Sequence, residues 1–117
     1  MRSLEDIQEN FKRGIIDLVI LTLLEKEDMY PYQINQELQS RTKGVLTFYL
    51  SSLYTPIRRM LQNGEISERK VSAGERRYRN YYHMEENGRQ YLAQLRREYA
   101  NMMEGMALLN QDREESK

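Results

Sequence analysis

The sequence of 117 residues contains no cysteine and no tryptophan, and its formal net charge is zero. Without cysteine, disulfide bridges and thiolate metal sites are excluded. The longest apolar stretch, residues 15–24, is interrupted by Asp17 and Thr22. A helix that crosses a bilayer needs about 20 apolar residues, twice the length of this stretch. Residues 1–10 are acidic and contain no apolar run of the secretory type. We therefore expect a cytoplasmic protein without a membrane partner.

Catalytic chemistry finds little support in the residue types present. His83 is the one histidine, so a metal site or a Ser/His nucleophile would have to form around a single ring. Carboxylates are scattered over predicted helix faces, and no glycine-rich phosphate loop occurs. We expect neither an enzyme nor a bound cofactor or metal ion.

The charges are segregated although they sum to zero. Residues 41–79 contain nine Lys and Arg against three Glu, whereas residues 1–40 contain four basic against eight acidic side chains and residues 80–117 contain five against seven. A segregated chain can bind phosphate with its basic part and repel it elsewhere. The distribution indicates a nucleic-acid-binding region in the middle of the chain.

A short helix is predicted over residues 51–61. Four apolar residues recur at i, i+4, i+7 and i+8 and form one stripe that faces a core: Leu53, Ile57, Met60 and Leu61. The other faces are polar and can reach base edges and phosphates. The candidates for DNA contact on this helix are Ser51, Ser52, Tyr54, Thr55, Arg58 and Arg59.

Two points on this helix stay open. Tyr54 adjoins the apolar stripe, so it is either a half-buried core residue whose hydroxyl finds a partner or a phosphate contact. Arg58 and Arg59 differ by about 100° around the helix. We expect one of them to touch the DNA backbone and the other to pair with a glutamate.

A basic β-hairpin is predicted after the helix, with strands at residues 65–71 and 76–84 and a turn at residues 72–75. If Tyr82 and Met84 face inward, then Tyr81, Arg79 and Arg77 share the outer face. A helix followed by such a hairpin is typical of a winged helix, and the charge favours phosphate or minor-groove contact over a merely solvated hairpin edge. The candidates for DNA contact in this wing are Arg69, Lys70, Arg76, Arg77 and Arg79.

A long last helix is predicted from about Glu85 to about Asn110. Its apolar residues are spaced 3, 4, 3, 4 and 3 apart, which is a heptad seam: Leu92, Leu95, Tyr99, Met102, Met106 and Leu109. A single winged helix of this size does not need so long a seam, so we predict a dimer interface. The alternative is packing along the chain's own first helices, and different faces can do both.

The domain organisation follows from these elements. We predict a mostly α-helical protein with a small β-hairpin, in which residues 1–84 form a winged helix-turn-helix DNA-binding domain with an N-terminal helix. Residues 85–110 form the C-terminal dimerisation helix and residues 111–117 a tail. The whole is expected to be one compact domain.

Several motifs, in this order and spacing, have counterparts in one family. Phe11-Lys12-Arg13-Gly14 precedes an apolar helix, and Tyr30-Pro31-Tyr32-Gln33-Ile34 is similar to Tyr-Gly-Tyr-x-Ile. Residues 53–60 are similar to Leu-Tyr-Pro-x-Leu-x-Arg-Leu, with Thr55 at the proline position and Pro56 one residue later. Residues 74–88 are similar to a Gly-x-Arg-Arg-x-Tyr-Tyr-x-Leu-Thr-x-x-Gly wing, with Glu85 at the threonine position. The chain thus resembles the PadR family of bacterial transcriptional regulators, and more particularly its small subfamily.

The resemblance implies a homodimeric winged-helix repressor that binds double-stranded DNA at a dyad-symmetric operator. Many members release DNA when a small aromatic or drug-like ligand binds, which makes Tyr99 a candidate for a ligand pocket between subunits. The alternative for Tyr99 is an aromatic residue packed in the dimer interface. The rival function is a winged-helix protein–protein interaction module whose basic wing meets an acidic partner.

Overall fold

The computed structural model describes residues 1–115, apart from the side chains of Asp112, Glu114 and Glu115, and the backbone forms four helices and one hairpin. The elements in chain order are α1 (Leu4–Leu24), α2 (Pro31–Arg41), α3 (Leu50–Gln62), β1 (Ile66–Ser72), β2 (Tyr78–Met84) and α4 (Glu86–Glu115). The two strands pair antiparallel in register from Ile66 with Met84 to Ser72 with Tyr78. This mostly helical winged-helix arrangement confirms the predicted fold class.

The core is built around the second half of α1. Helix α1 begins where the Ser3 hydroxyl accepts a hydrogen bond from the backbone N–H of Asp6 at 3.1 Å, a side-chain cap for an otherwise unpaired donor. Its last turns are largely buried and pack against one stripe from each of the other elements. The innermost side chains are Ile20, Leu21, Met29, Ile34, Leu53, Ile57, Met60, Met84 and Leu92. The predicted stripe of α3 is confirmed, with Leu61 half-buried at its margin.

The wing is attached to the core through its second strand. The backbone of Met29, in the loop between α1 and α2, pairs antiparallel with Tyr82 through two hydrogen bonds of 3.3 and 2.9 Å. Tyr82 and Met84 are buried, so the inward-facing side predicted for this strand is confirmed. The loop between α1 and α2 therefore lies beside β2 and brings its side chains to the wing.

The loop that leads into α3 is held by a side-chain amide. Asn35 of α2 donates to the carbonyl of Phe48 at 2.6 Å and accepts from the N–H of Phe48 at 3.0 Å. These two bonds satisfy both backbone groups of a buried residue, which would otherwise be costly to bury. They fix the start of α3 relative to α2.

Helix α4 starts in close contact with the beginning of the hairpin. The N–H of Glu85 donates to the carbonyl of Glu65 at 3.0 Å. A Cβ atom on Gly88 would lie 2.2 Å from that same carbonyl oxygen, which is far inside van der Waals contact. Only glycine fits at residue 88 without a shift of backbone.

The predicted seam of α4 has a part that packs in the chain's own core and a part that is exposed. Leu92 is 1% exposed and Leu95 packs against the same core, so these two residues serve the chain's own fold and Leu92 is not available to a partner. From Tyr99 onward the seam is exposed: Tyr99, Met102, Met106 and Leu109. We call these four residues the exposed seam of α4.

The molecule is more extended than the compact domain that we expected. Helix α4 continues to Glu115, beyond the predicted end near Asn110, so the first part of the predicted tail is helical; Ser116 and Lys117 lie outside the described residues. The radius of gyration is 17.0 Å and the extents are 65 × 33 × 23 Å, whereas a compact chain of this length would have a radius of about 13 Å. The difference arises because the second half of α4 has no other element beside it.

A polar junction joins α1, α3 and α4. The carboxylate of Asp17 accepts from the Tyr91 hydroxyl at 2.6 Å and from Arg59 Nη2 at 3.2 Å. Burial, together with the hydrogen bond to Asp17, raises the pKa of Tyr91 to about 12. The raised pKa means that the folded protein favours the protonated phenol over the phenolate.

Replacing Gly88 with alanine tests the close contact between α4 and the hairpin. We expect Gly88→Ala to lower the free energy of unfolding by about 1–3 kcal/mol, since overpacking outweighs the gain in helix propensity. Chemical denaturation measures the change. Gln90→Ala, at an exposed position two residues along α4, is the matched control and is expected to stay within about 0.5 kcal/mol. An unchanged midpoint for Gly88→Ala would contradict the contact.

The Tyr91 junction predicts a specific dependence on pH. Because the pKa of Tyr91 in the folded protein is raised to about 12 from about 10 in the unfolded chain, its contribution is complete below pH 10 and is lost as pH rises from about 10 to 12. Tyr91→Phe should therefore lose stability less steeply than the parent protein in that window. Denaturation curves at several pH values compare the two, and parallel pH profiles would contradict this prediction.

Candidate nucleic-acid interface

Helix α3 presents one buried and one exposed face. It spans Leu50–Gln62, one residue longer at each end than the predicted helix, and buries Leu53, Pro56, Ile57 and Met60. The predicted contact residues are exposed, apart from half-buried Ser52: Ser51, Ser52, Tyr54, Thr55, Arg58 and Arg59. The exposed face is therefore polar and basic, as contact with base edges and phosphates requires.

Pro56 lies inside α3 rather than at its start. The helix begins at Leu50, so more than one turn of helix precedes the proline. An interior proline lacks the N–H that would donate to the carbonyl four residues earlier, here that of Ser52. Burial of the Pro56 ring against the core offsets part of this cost, since the residue lies on the apolar side of the helix.

The tip of the wing is a five-residue turn that carries two of the predicted arginines. The N–H of Ala73 donates to the carbonyl of Arg77 at 3.0 Å, and the N–H of Arg77 donates to that of Gly74 at 3.2 Å. Gly74 and Arg76 have positive φ angles of 118° and 58°. Strand β2 begins only at Tyr78, so the prediction that Arg76 and Arg77 lie on the second strand is wrong. The tight turn places both guanidinium groups at the end of the hairpin.

Aromatic rings from β2 and the neighbouring loop support the arginines of the strands. The guanidinium of Arg79 lies 4.6 Å from the ring centroid of Tyr30, and that of Arg69 lies 5.2 Å from that of Tyr81. The two rings meet edge to face at 5.3 Å. Cation–π contact of this kind orients a guanidinium without neutralising its charge.

Asp28 draws one of these arginines into an ion pair. Its carboxylate lies 3.3 Å from Arg69 Nη2 and 2.7 Å from His83 Nδ1. Burial by itself would raise the pKa of Asp28, but the hydrogen bonds and charges of His83 and Arg69 together outweigh burial and hold this pKa below its usual range. Asp28 therefore remains a carboxylate and partly neutralises Arg69.

The two adjacent arginines of α3 differ in their partners, and the expected pairing of one of them with a glutamate is wrong. Arg59 pairs with Asp17 of α1 at 3.2 Å, an aspartate rather than the expected glutamate. Arg58 is exposed and forms no such pair with a described side chain. Arg58 is thus the α3 arginine whose charge is available to a negatively charged ligand.

The predicted basic residues therefore differ in how much charge they can offer. Within the described part of the chain, salt bridges engage Arg59 and Arg69. The remaining candidates form none there: Arg58, Lys70, Arg76, Arg77 and Arg79. These five side chains are exposed and lie on α3 and the wing.

Two residues in and next to the loop between α1 and α2 contact the wing but were not predicted from the sequence to belong to the interface. Tyr30 and Asp28 contact side chains about fifty positions away in the chain. The Tyr30-Pro31-Tyr32 motif was the available signal, but only the pairing of Met29 with Tyr82 brings it to the wing.

Residues 1–115 offer little to other kinds of site. No group of three or more His, Asp or Glu side chains in that range is arranged to hold a metal ion. None of the helices described there combines the length and apolar character needed to cross a membrane. Tyr99, the candidate for a ligand pocket, is 47% exposed on α4.

Known proteins include relatives that are similar to this chain in sequence or in fold over most of its length. A solved transcriptional regulator from Clostridium thermocellum shares 26% identity, covering 84% of this chain and 95% of that one, with a TM-score of 0.78. An uncharacterized protein of Lysinibacillus sphaericus is 29% identical over 98 residues, 84% of this chain and 90% of its own length.

A third relative was solved with a nucleic acid. The crystal structure of Bacillus subtilis PadR in complex with operator DNA shares the fold, with a TM-score of 0.64 and 21% identity, over 68% of this chain and 45% of that one. Residues 20–94, which include α2, α3 and the whole wing, match the model of the PadR-like family. The chain therefore belongs to the PadR-like family of transcriptional regulators.

Proposed function

We propose that the protein is a sequence-specific DNA-binding repressor that acts as a homodimer on a dyad-symmetric operator. The observation that carries the proposal is the set of five exposed basic side chains on α3 and the wing that form no salt bridge with any of the acidic side chains that the structure describes. Uncompensated cations on one surface attract a polyanion and release its counterions. The related Bacillus subtilis PadR, solved with operator DNA, supports the same use of this fold.

The two elements have the dimensions and chemistry for adjacent grooves. An α-helix fits the major groove of B-DNA, and the exposed face of α3 offers Ser51, Thr55 and Arg58 to base edges and phosphates. The tip arginines, Arg76 and Arg77, suit the backbone or the narrower minor groove beside it. Lys70 and Arg79 add charge along the strands.

A homodimer supplies the partner that the exposed seam of α4 lacks. Met102 and Leu109 are each 65% exposed, and an apolar stripe of this length on a helix is usually covered. Helix α1 adds a second exposed stripe, with Leu4, Ile7 and Phe11 at i, i+3 and i+7. A two-fold axis along α4 would present two copies of α3 to half-sites about one helical turn, roughly 34–36 Å, apart.

Release by a small aromatic effector is the regulatory part of the proposal. Tyr99 begins the exposed seam, where a second copy would face it, and a tyrosine ring there can stack on a flat ligand. An effector bound between subunits would change the spacing of the two α3 helices, and hence the affinity for the operator.

Removing two wing charges tests the DNA interface. Arg77→Ala with Arg79→Ala should weaken binding to every DNA sequence and reduce the slope of log affinity against log salt by about 0.9 for each phosphate that is no longer neutralised. Fluorescence anisotropy with a DNA fragment from the promoter of the protein's own gene, at several salt concentrations, gives both numbers. Arg89→Ala, on an exposed position of α4, is the matched control. A parent protein that shifts no DNA in a sequence-preferring way would instead favour a protein-interaction module.

A charge in the exposed seam tests the dimer. Met106→Glu should convert a dimer into a monomer at micromolar concentrations, because two like charges would be buried opposite an apolar face. Light scattering after size exclusion measures the mass. Ala100→Glu places the same charge on the opposite side of α4, at another exposed position, and should leave the dimer intact. A monomeric parent protein would refute the proposed assembly.

A further inference from the structure

A groove lined by tyrosine lies between the wing and the two helices of the helix-turn-helix. Its walls come from the N-terminal end of α2, the start of α3 and the outer half of β2, and its volume is about 220 Å³. Five of the nine tyrosines in the sequence line it: Tyr30, Tyr32, Tyr54, Tyr78 and Tyr82. We call this feature the tyrosine groove.

We propose that the tyrosine groove binds the sugar–phosphate strand that separates the two DNA grooves, with Tyr32 and Tyr78 as phosphate-positioning residues. The inference rests on the proposed function, because it assumes that α3 and the wing meet DNA. It adds two side chains that are not on the exposed face of α3 and are not basic. Its occupant is a DNA backbone, not a base edge.

The topology places a backbone strand over this groove. If α3 lies in a major groove and the wing tip at the adjacent minor groove, the one strand of DNA between those grooves has to pass between the two elements. The tyrosine groove is the concave surface at that place, since both elements contribute to its lining, α3 through Tyr54 and β2 through Tyr78.

The register of β2 explains why aromatic side chains reach this surface. Every second side chain of β2 lies on the same face of the strand: Met84, Tyr82, Asn80 and Tyr78. Met84 and Tyr82 are buried, whereas Asn80 is exposed and Tyr78 is 68% exposed. The same face that closes the core at the base of the wing therefore continues as a groove wall toward its tip.

Free hydroxyl groups distinguish these tyrosines from packed ones. Within residues 1–115, tyrosine hydroxyls donate from Tyr49 to Glu5 and from Tyr91 to Asp17. Those of Tyr32 and Tyr78 donate to no protein group there, and their side chains are 56% and 68% exposed. Each can donate to a phosphate oxygen while its ring covers the apolar face of a deoxyribose.

The charge of the groove fits the same occupant. Arg79 is the one charged residue in its lining, which contains no carboxylate. The ring of Tyr30 supports that guanidinium from one side. The groove is also smaller than the about 300–1,000 Å³ of usual small-molecule pockets, which favours a backbone segment over an enclosed ligand.

The experiment combines tyrosine substitutions with neutral phosphates. Tyr32→Phe with Tyr78→Phe removes two hydroxyls and keeps both rings. It should lower affinity for a promoter fragment by about tenfold for each hydroxyl, or about a hundredfold for the pair, as expected for the removal of two hydrogen bonds to charged acceptors. In a second series, one phosphate at a time is replaced by an uncharged methylphosphonate. In each half-site, the replacement of a phosphate that lies between the major-groove and minor-groove contacts should weaken DNA binding by the parent protein. The double variant should show no further decrease in affinity at that phosphate.

The control and the outcomes separate this inference from the function on which it rests. Tyr49→Phe removes the hydroxyl of a tyrosine that is 60% exposed and turned toward Glu5, and it should bind DNA like the parent. Equal affinity of the double variant and the parent, or an equal loss at every methylphosphonate, would overturn the tyrosine groove while DNA binding stands. Unchanged DNA affinity with an abolished response to an aromatic effector would also overturn it. A parent protein that binds no DNA would overturn the proposed function as well.

Discussion

Two backbone hydrogen bonds between Met29 and Tyr82 determine where the wing lies relative to the helices. A two-stranded hairpin is marginally stable alone, and this short pairing gives its second strand a neighbour within the core. Met29 and Tyr82 are both buried, so their backbone groups would be costly to leave unpaired. The pairing also carries Asp28 and Tyr30 to the opposite side of the strand, where they contact Arg69, His83 and Arg79. The shape of the candidate interface thus depends on a contact far from its tip.

Electrostatics on this surface is selective rather than simply basic. Asp17 and Asp28 pair with Arg59 and Arg69, one on α3 and one on the wing. The basic candidates that form no salt bridge with a described side chain lie on the exposed face of α3 and along the wing to its tip. A chain of zero net charge can still attract a polyanion in this way, because the field near a surface reflects local charge, and salt screens distant acidic groups beyond about 8–10 Å. The pairing of Arg59 also connects the candidate recognition helix to α1, since Asp17 belongs to that helix.

The sequence predicted what repeats locally and missed what is brought together from afar. The stripe of α3 and the inward face of β2 followed from spacings of about 3.6 and 2 residues, and the order of helix and hairpin gave the winged helix. The contact of Tyr30 with Arg79 depends on a loop and a strand about fifty residues apart, which no local period encodes. The turn was misplaced for a different reason: Arg76 adopts a positive φ angle of 58°, which is uncommon for a residue other than glycine. The heptad seam was a single pattern in the sequence, and only the burial of Leu92 and the exposure of Met102 in the structure divide it into two parts.

That division of α4 bears on how two recognition helices could be held at a fixed separation. The first turns of α4 are tied to the subunit by the close approach of Gly88 to Glu65, the hydrogen bond from Tyr91 to Asp17 and the burial of Leu92. If the apolar surface for a second copy began at these first turns of α4, it would need the same side chains that the core already buries. Because the exposed seam begins at Tyr99, one helix can be rigid in its own subunit and still offer several turns to another. In the homodimer that we propose, Asp17 would connect the dimerisation helix with the recognition helix, since its one carboxylate binds both Tyr91 of α4 and Arg59 of α3. A shift of α4 at the subunit contact would then reach α3 through this shared carboxylate as well as through the common core, to which Leu92 of α4 and Leu53 of α3 both belong.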